Sequence, residues 1–160
     1  MAKRAILLAE RIEEGSRTLA TFAESLTDAE WQTFVPGEER TVGVLVHHVA
    51  SVYPLELDLA LRIAEGQPIA GVSWAEVDHM NAQHARDHAE AGKPETLALL
   101  RQNSKMAADR VREFTDAELD TAARVSLDAD APLTAQFIIE DHALRHSFHH
   151  LALIRAVLQK

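Results

Sequence analysis

The decapeptide DHALRHSFHH, residues 141–150, carries His142, His146, His149 and His150, and the apolar stretch VGVLVHHVA carries His47 and His48. Imidazole is the commonest metal-ligating side chain and the one that titrates nearest neutrality. Its density in segments otherwise suited to a core therefore points to metal or acid–base chemistry. On a helix, the four-residue spacing of His146 and His150 stacks them one turn apart on one face. That face continues an apolar stripe through Ile139, Ala143, Leu153 and Val157. In the earlier segment the stripe reads Leu45, His48, Val52, Leu55, Leu59, and it leaves His47 on a polar flank with Ser51 and Asp58. His48, His146 and His150 are thus expected to face inward, with His142 and His149 closer to solvent.

Burying imidazoles without partners costs on the order of 1–3 kcal/mol for each. A divalent metal removes that cost by taking their lone pairs, and three protein ligands leave a coordination position for water or substrate, as in catalytic zinc sites. Nitrogen ligands without thiolate suit zinc, nickel, iron or copper and do not choose among them. The alternative is that each histidine is bonded to a carboxylate or the backbone as an ordinary core residue. His84 and His88 are also four apart, but Arg86, Asp87 and Glu90 surround them, and the pair reads as a solvated helix face. His79 has no partner at useful spacing. Glu56, Asp58 and Glu140 are the carboxylates near enough in sequence to be considered as a base. Ser104 either leaves room for a substrate or lets two helices approach, while Trp31, Trp74 and Tyr53 either wall a pocket or pack.

Four long helices are needed to position these groups. Ala5, Leu8, Ile12, Gly15, Leu19, Phe22 and Leu26 alternate in steps of three and four, predicting a helix over 3–26. A second helix starts after Thr41 as N-cap and runs to about 65, with Pro54 expected to kink it. Leu97, Leu100, Ser104, Ala107, Val111 and Phe114 mark a third over 94–114, and the fourth covers 134–158. A shorter helix near 74–91 is announced by Ser73 and Glu76 as a capping box and ended by Gly92 and Pro94. LTDAEW at 26–31 and FTDAEL at 114–119 echo one another, either as the mark of two related helix pairs or as two uses of one capping turn.

Depth provides a check on the topology. At ~1.5 Å per residue, His48 lies about 10 Å from the start of its helix, and His146 and His150 lie about 12–18 Å from the end of theirs. The three meet if the second and fourth helices are antiparallel. The long connection from Gly66 to Pro94 permits this, giving an all-α, four-helix bundle in up-down-down-up order, with the short extra helix in the connection.

A chain of 160 residues, 47% hydrophobic and 26% charged, is expected to form a single domain over 1–160. The net charge of −9 argues against nucleic acid or an anionic membrane surface as partner. No uninterrupted run of 18 apolar residues suggests a membrane span, and the N-terminus reads as helix with no export signal, so the expected location is the cytoplasm. With no cysteine, disulfides, thiolate ligands and a cysteine nucleophile are excluded, and any thiol must come from a small molecule.

TVGVLVHHVASVYPLE and LRHSFHHLALIRAVL resemble the ligand-bearing helices of the DinB/YfiT-like four-helix metalloproteins, and VDHMNAQHA is similar to a stretch of the maleylpyruvate isomerase-like branch. That family includes mycothiol-dependent maleylpyruvate isomerase and bacillithiol transferases. The resemblance implies metal ligation by His48, His146 and His150, the same topology, and a homodimer. It also implies a small-molecule substrate and a low-molecular-weight thiol or water as nucleophile. The metal would be zinc, nickel or iron, and the reaction thiol S-transfer, isomerisation through a thiol adduct, or hydrolysis. Leu153 stands where many members carry Gln, and the chain lacks the separate C-terminal domain of the isomerases, which weighs against that specific reaction. A metal-binding or dimerisation module without catalysis is the alternative from another class.

Overall fold

The computed structural model describes residues 2–160. In chain order the elements are α1 (Lys3–Glu24), α2 (Asp28–Trp31), β1 (Phe34–Val35), β2 (Arg40–Thr41), α3 (Val42–Ala64), α4 (Trp74–Asp87), α5 (Lys93–Arg112), α6 (Asp116–Asp120), β3 (Ala122–Val125) and β4 (Ala131–Thr134). The last long helix begins as α7 (Ala135–Ile138), loosens into a π-helical segment over Ile139–Leu144, and ends as α8 (Arg145–Leu158).

The expected caps are in place. The Val44 N–H donates to Thr41 Oγ1, and reciprocal capping boxes form at Ser73/Glu76, Thr27/Glu30 and Thr115/Glu118. Each box satisfies backbone donors that the first helical turn leaves open. Pro54 removes one N–H inside α3, and the Ala50 carbonyl it would have served accepts from Asn103 Nδ2 at 2.8 Å.

Side-chain pairs set the helix directions. Glu13 meets Arg112 (2.8 Å) and Glu24 meets Arg101, so α1 and α5 are antiparallel. Arg11 meets Glu140 (3.1 Å), and Arg155 lies over the Phe22 ring, so α1 and the last helix run together. Tyr53 OH pairs with Ser147 Oγ (2.8 Å), while His48 lies beside His150 and Glu56 beside His146. Advancing along α3 therefore means retreating along α8. The order is up-down-down-up, and α4 lies in the crossover that makes it possible.

The internal echo extends further than its sequence. Each half has a long helix, a capping-box helix, a two-stranded antiparallel ribbon (β1–β2 or β3–β4) and a Thr-capped helix carrying histidines. The halves run in opposite directions, as a pseudo-twofold relation requires. The ribbons were not expected from the sequence, because two- and four-residue strands leave no alternation to read.

The α1 and α5 stripes pack as expected, with Leu8, Ile12, Leu19, Leu100, Ala107 and Val111 in the core. In α3, however, Leu55 is 45% exposed, and the core is filled by Val49, Tyr53 and Leu57. In α8, Leu153 and Val157 are half-buried, and Ser147, Leu151 and Ile154 face inward. α3 is long and apolar enough to cross a bilayer by length and composition, but 56% of its apolar window is buried, so packing within the bundle accounts for that apolarity.

Gly43 marks a close approach, since a Cβ there would run into the Trp31 indole, whose Nε1–H donates to the Ala91 carbonyl at 2.9 Å. Gly43→Ala is expected to cost ~1–3 kcal/mol through overpacking. Denaturant unfolding at neutral pH measures it, and an unchanged midpoint would show that Trp31 moves freely.

Candidate metal centre

His48 and His150 are 7% and 4% exposed, and His146 is half-buried at the rim of the same cluster. One potential ligand atom from each of the three lies within 4.8 Å of the others. His48 Nε2 and His146 Nε2 are 3.2 Å apart, while bonds of ~2.0–2.1 Å around a tetrahedral zinc ion would place ligand nitrogens roughly 3.4 Å apart. One of the three separations is therefore already near that of a bound ion, and the donor set suits a divalent metal.

Glu56 decides how His146 is presented. Its Oε1 lies 2.7 Å from His146 Nδ1, and the carboxylate accepts from an Nδ1–H, leaving the Nε2 lone pair directed at His48. A carboxylate on the outer nitrogen is the usual support of a metal-bound histidine. The other two candidate bases are elsewhere: Asp58 is exposed, and Glu140 pairs with Arg11.

Burial is the main cause that pushes His48 down to about 2, with His146 and the Arg40 guanidinium adding to it. His150 is likewise lowered to about 2, first by burial and then by His146 and Arg40. Both are thus held neutral, the form a metal requires. Arg40 is itself buried and paired with Glu38, but its Nε and Nη1 have no protein acceptor. His150 Nδ1 is also buried without a partner. Orphaned groups of this kind are open to a ligand, an ion or water.

A second grouping, Glu38 with His149 and His150, would compete for His150. It would draw Glu38 from the buried Arg40 and leave that cation unpaired, so the three-histidine set is the more economical use of His150. His142 is half-buried, with its Nε2 3.9 Å from Asp141, and His149 is exposed; neither belongs to the three-histidine cluster.

The third grouping corrects the sequence reading. His84 and His88 are half-buried and face His47 across the α3–α4 seam. His47 Nδ1 lies 2.9 Å from His84 Nε2, and the rings of His47 and His88 stack at 4.0 Å. The charged neighbours Arg86 and Asp87 point outward and are exposed, which is why the segment looks solvated in sequence. Burial, and then the neighbouring His47 and His88, lower His84 to about 4.

The model of the DinB superfamily matches residues 11–154. The chain belongs to the DinB superfamily. A solved structure similar to this DinB chain is YfiT from Bacillus subtilis, described as a probable metal-dependent hydrolase with an unusual four-helix bundle topology. The TM-score is 0.79 at 21% sequence identity, covering 99% of this chain and 89% of that one. At this identity the likeness speaks for the bundle. No curated protein sequence matches.

Two residues of this DinB site were missed or underrated in the sequence. Glu56 follows His48 by eight residues, a little over two helical turns, and an acid on that face of an apolar helix was the available signal. Arg40 gave none, because only the packing of the ribbon against the histidines buries it.

The aromatic residues divide. Tyr53 is fully buried and Trp31 nearly so, whereas Trp74 is exposed and donates from Nε1 to the Leu127 carbonyl. Ser104 is buried, donates to the Arg101 carbonyl, and faces Ser16 and Ala20 across the α1–α5 seam, away from the histidines.

Proposed function

We propose that His48, His146 and His150 hold one divalent metal ion, and that the protein is a metal-dependent enzyme acting on a small electrophile through water or a low-molecular-weight thiol. The observation that carries this reading is the Glu56–His146 pair, which turns His146 Nε2 toward His48 inside a cluster that His150 completes. The likeness to a bundle described as a probable metal-dependent hydrolase supports it.

A divalent ion here supplies Lewis acidity, making water or a thiol nucleophilic near neutral pH. The residues do the rest. Glu56 fixes the His146 tautomer, and burial with the Arg40 charge keeps His48 and His150 unprotonated. Three ligands leave a position open for the nucleophile or substrate. The buried Arg40 guanidinium adds positive charge beside His48 and His150. Since the chain has no cysteine, a thiol nucleophile would be a co-substrate. Exposed Leu7, Phe137 and Phe148, on α1 and the last helix, support the proposed homodimer.

Metal analysis followed by turnover of activated esters and of thiol-reactive electrophiles tests the enzyme reading. Turnover without thiol favours hydrolysis, strict thiol dependence favours S-transfer, and no metal-dependent turnover of either class favours the binding module. Glu56→Gln is expected to lower metal affinity about 10–100-fold by loosening His146. Competition with a chelator measures this, and unchanged affinity would remove Glu56 from the site.

A further inference from the structure

α4 lies in the crossover and buries none of its residues. Helices in proteins are held mainly by packing an apolar face, and a 14-residue helix that buries none is marginal by itself. Its N-terminal end is tied down, since the Trp74 indole donates to the Leu127 carbonyl and Ser126 bonds both Val72 backbone groups. Val77, Asn81, His84 and Ala85 are half-buried along it, and His84, with His88 just past its end, is set against His47 of α3.

We propose that His47, His84 and His88 form a second divalent-metal site, separate from the first, which fastens the crossover helix to α3. One ligand atom of each lies within 4.8 Å of the others. His47 Nδ1 and His84 Nε2 are 2.9 Å apart, close to the roughly 3.4 Å that two nitrogens take around a tetrahedral ion. Ser51 Oγ lies 3.4 Å from the same His84 nitrogen, while His84 Nδ1 is buried with no protein partner. A hydrogen bond between His47 and His84 joins two of the rings and leaves His88 only stacked on His47, whereas an ion would engage all three. Two ligands on one helix and one on its neighbour give the ion the function of a cross-link.

The two sites adjoin. His47 and His48 are consecutive, and the His48 and His84 rings are 5.5 Å apart. An ion at the second site would therefore hold α4 beside the first, so metal supply would set the order of the helix that flanks the proposed reaction centre.

Zinc reconstitution of apo protein, dialysis and elemental analysis give the count. Wild type is expected to hold about two equivalents, and His84→Gln/His88→Gln and His146→Ala/His150→Ala about one each. Backbone hydrogen exchange adds a readout independent of stoichiometry. Zinc at about 10–100 times Kd is expected to slow exchange of the α4 amides about 10–100-fold in wild type. In His84→Gln/His88→Gln it should leave them unchanged.

Retention of both equivalents in His84→Gln/His88→Gln, or α4 exchange indifferent to zinc in wild type, overturns the second site. Retention of both in His146→Ala/His150→Ala overturns the first site and leaves the second standing. The exchange measurement on wild type and His84→Gln/His88→Gln decides the case even where the first-site variant fails to fold.

Discussion

His146→Ala is expected to strip the first centre of its metal, with affinity falling by two to three orders of magnitude. A structural zinc site yields ~10–16 kcal/mol from four ligands, so one ligand is worth roughly 2.5–4 kcal/mol. His146 is the informative choice because it is half-buried at the rim, while His48 and His150 sit in the core. Its truncation removes a ligand with little loss of packing and frees Glu56, which has no other partner. His142→Ala and His149→Ala, on the same helix, are expected to leave the affinity unchanged, and His84→Ala should spare this centre as well. Titration of each apo variant against a calibrated chelator separates them. Equal losses in His146→Ala and His142→Ala would show that the metal is held by a different face of the helix.

How much of this was legible depended on whether the relevant information was local. Helix starts were, because Thr41, Ser73, Thr27 and Thr115 carry side chains that satisfy backbone donors in their own turn. The α1 and α5 stripes were legible because each helix has one core face and one wet face. α3 buries much of its circumference, so its apolar residues define no single phase, and Leu55 was placed in the core when Val49, Tyr53 and Leu57 are there. In the last helix the π segment adds residues to a turn. It carries the inward face from Ile139 and Ala143 to Ser147, and His146 goes to the rim, where Glu56 reaches it. The topology was legible in part from depth, since His48 and the His146/His150 pair match best if their helices oppose and the long connection from Gly66 to Pro94 permits it. His84 and His88 were not, because what gives them meaning is His47, some forty residues away in the chain and across a seam. Arg40 is the same case: nothing within reach of it in sequence says that it will be buried.

Acid is expected to destabilise the metal-free protein steeply, in a window where carboxylates contribute little. His48 and His150 are lowered to about 2 in the folded chain, mainly by burial, against about 6.5 when unfolded. Below 6.5 the unfolded chain therefore binds protons that the folded chain refuses, and stability rises with pH wherever the unfolded state holds more protons. The contribution is fully present above 6.5 and is lost progressively as pH falls from there toward 2. Between pH 7.5 and 5 each histidine accounts for about 2 kcal/mol, so the pair removes about 4 kcal/mol. That is a large share of the roughly 5–15 kcal/mol typical of a domain. Burial and the neighbouring histidines lower His84 as well, so it adds to the loss in the same direction. The carboxylates of Glu30, Glu76, Asp109, Glu118 and Asp120 are shifted down from values already at or below 4.5, and so titrate beneath the window. Metal raises the whole curve at pH 7.5 and is itself driven off by the same protons, making the holo protein steeper still. Urea unfolding of chelator-treated protein at half-unit steps from pH 7.5 to 5 gives the slope. His48→Leu/His150→Leu should flatten it by most of its value; the same slope in that variant would mean that other groups take up the protons.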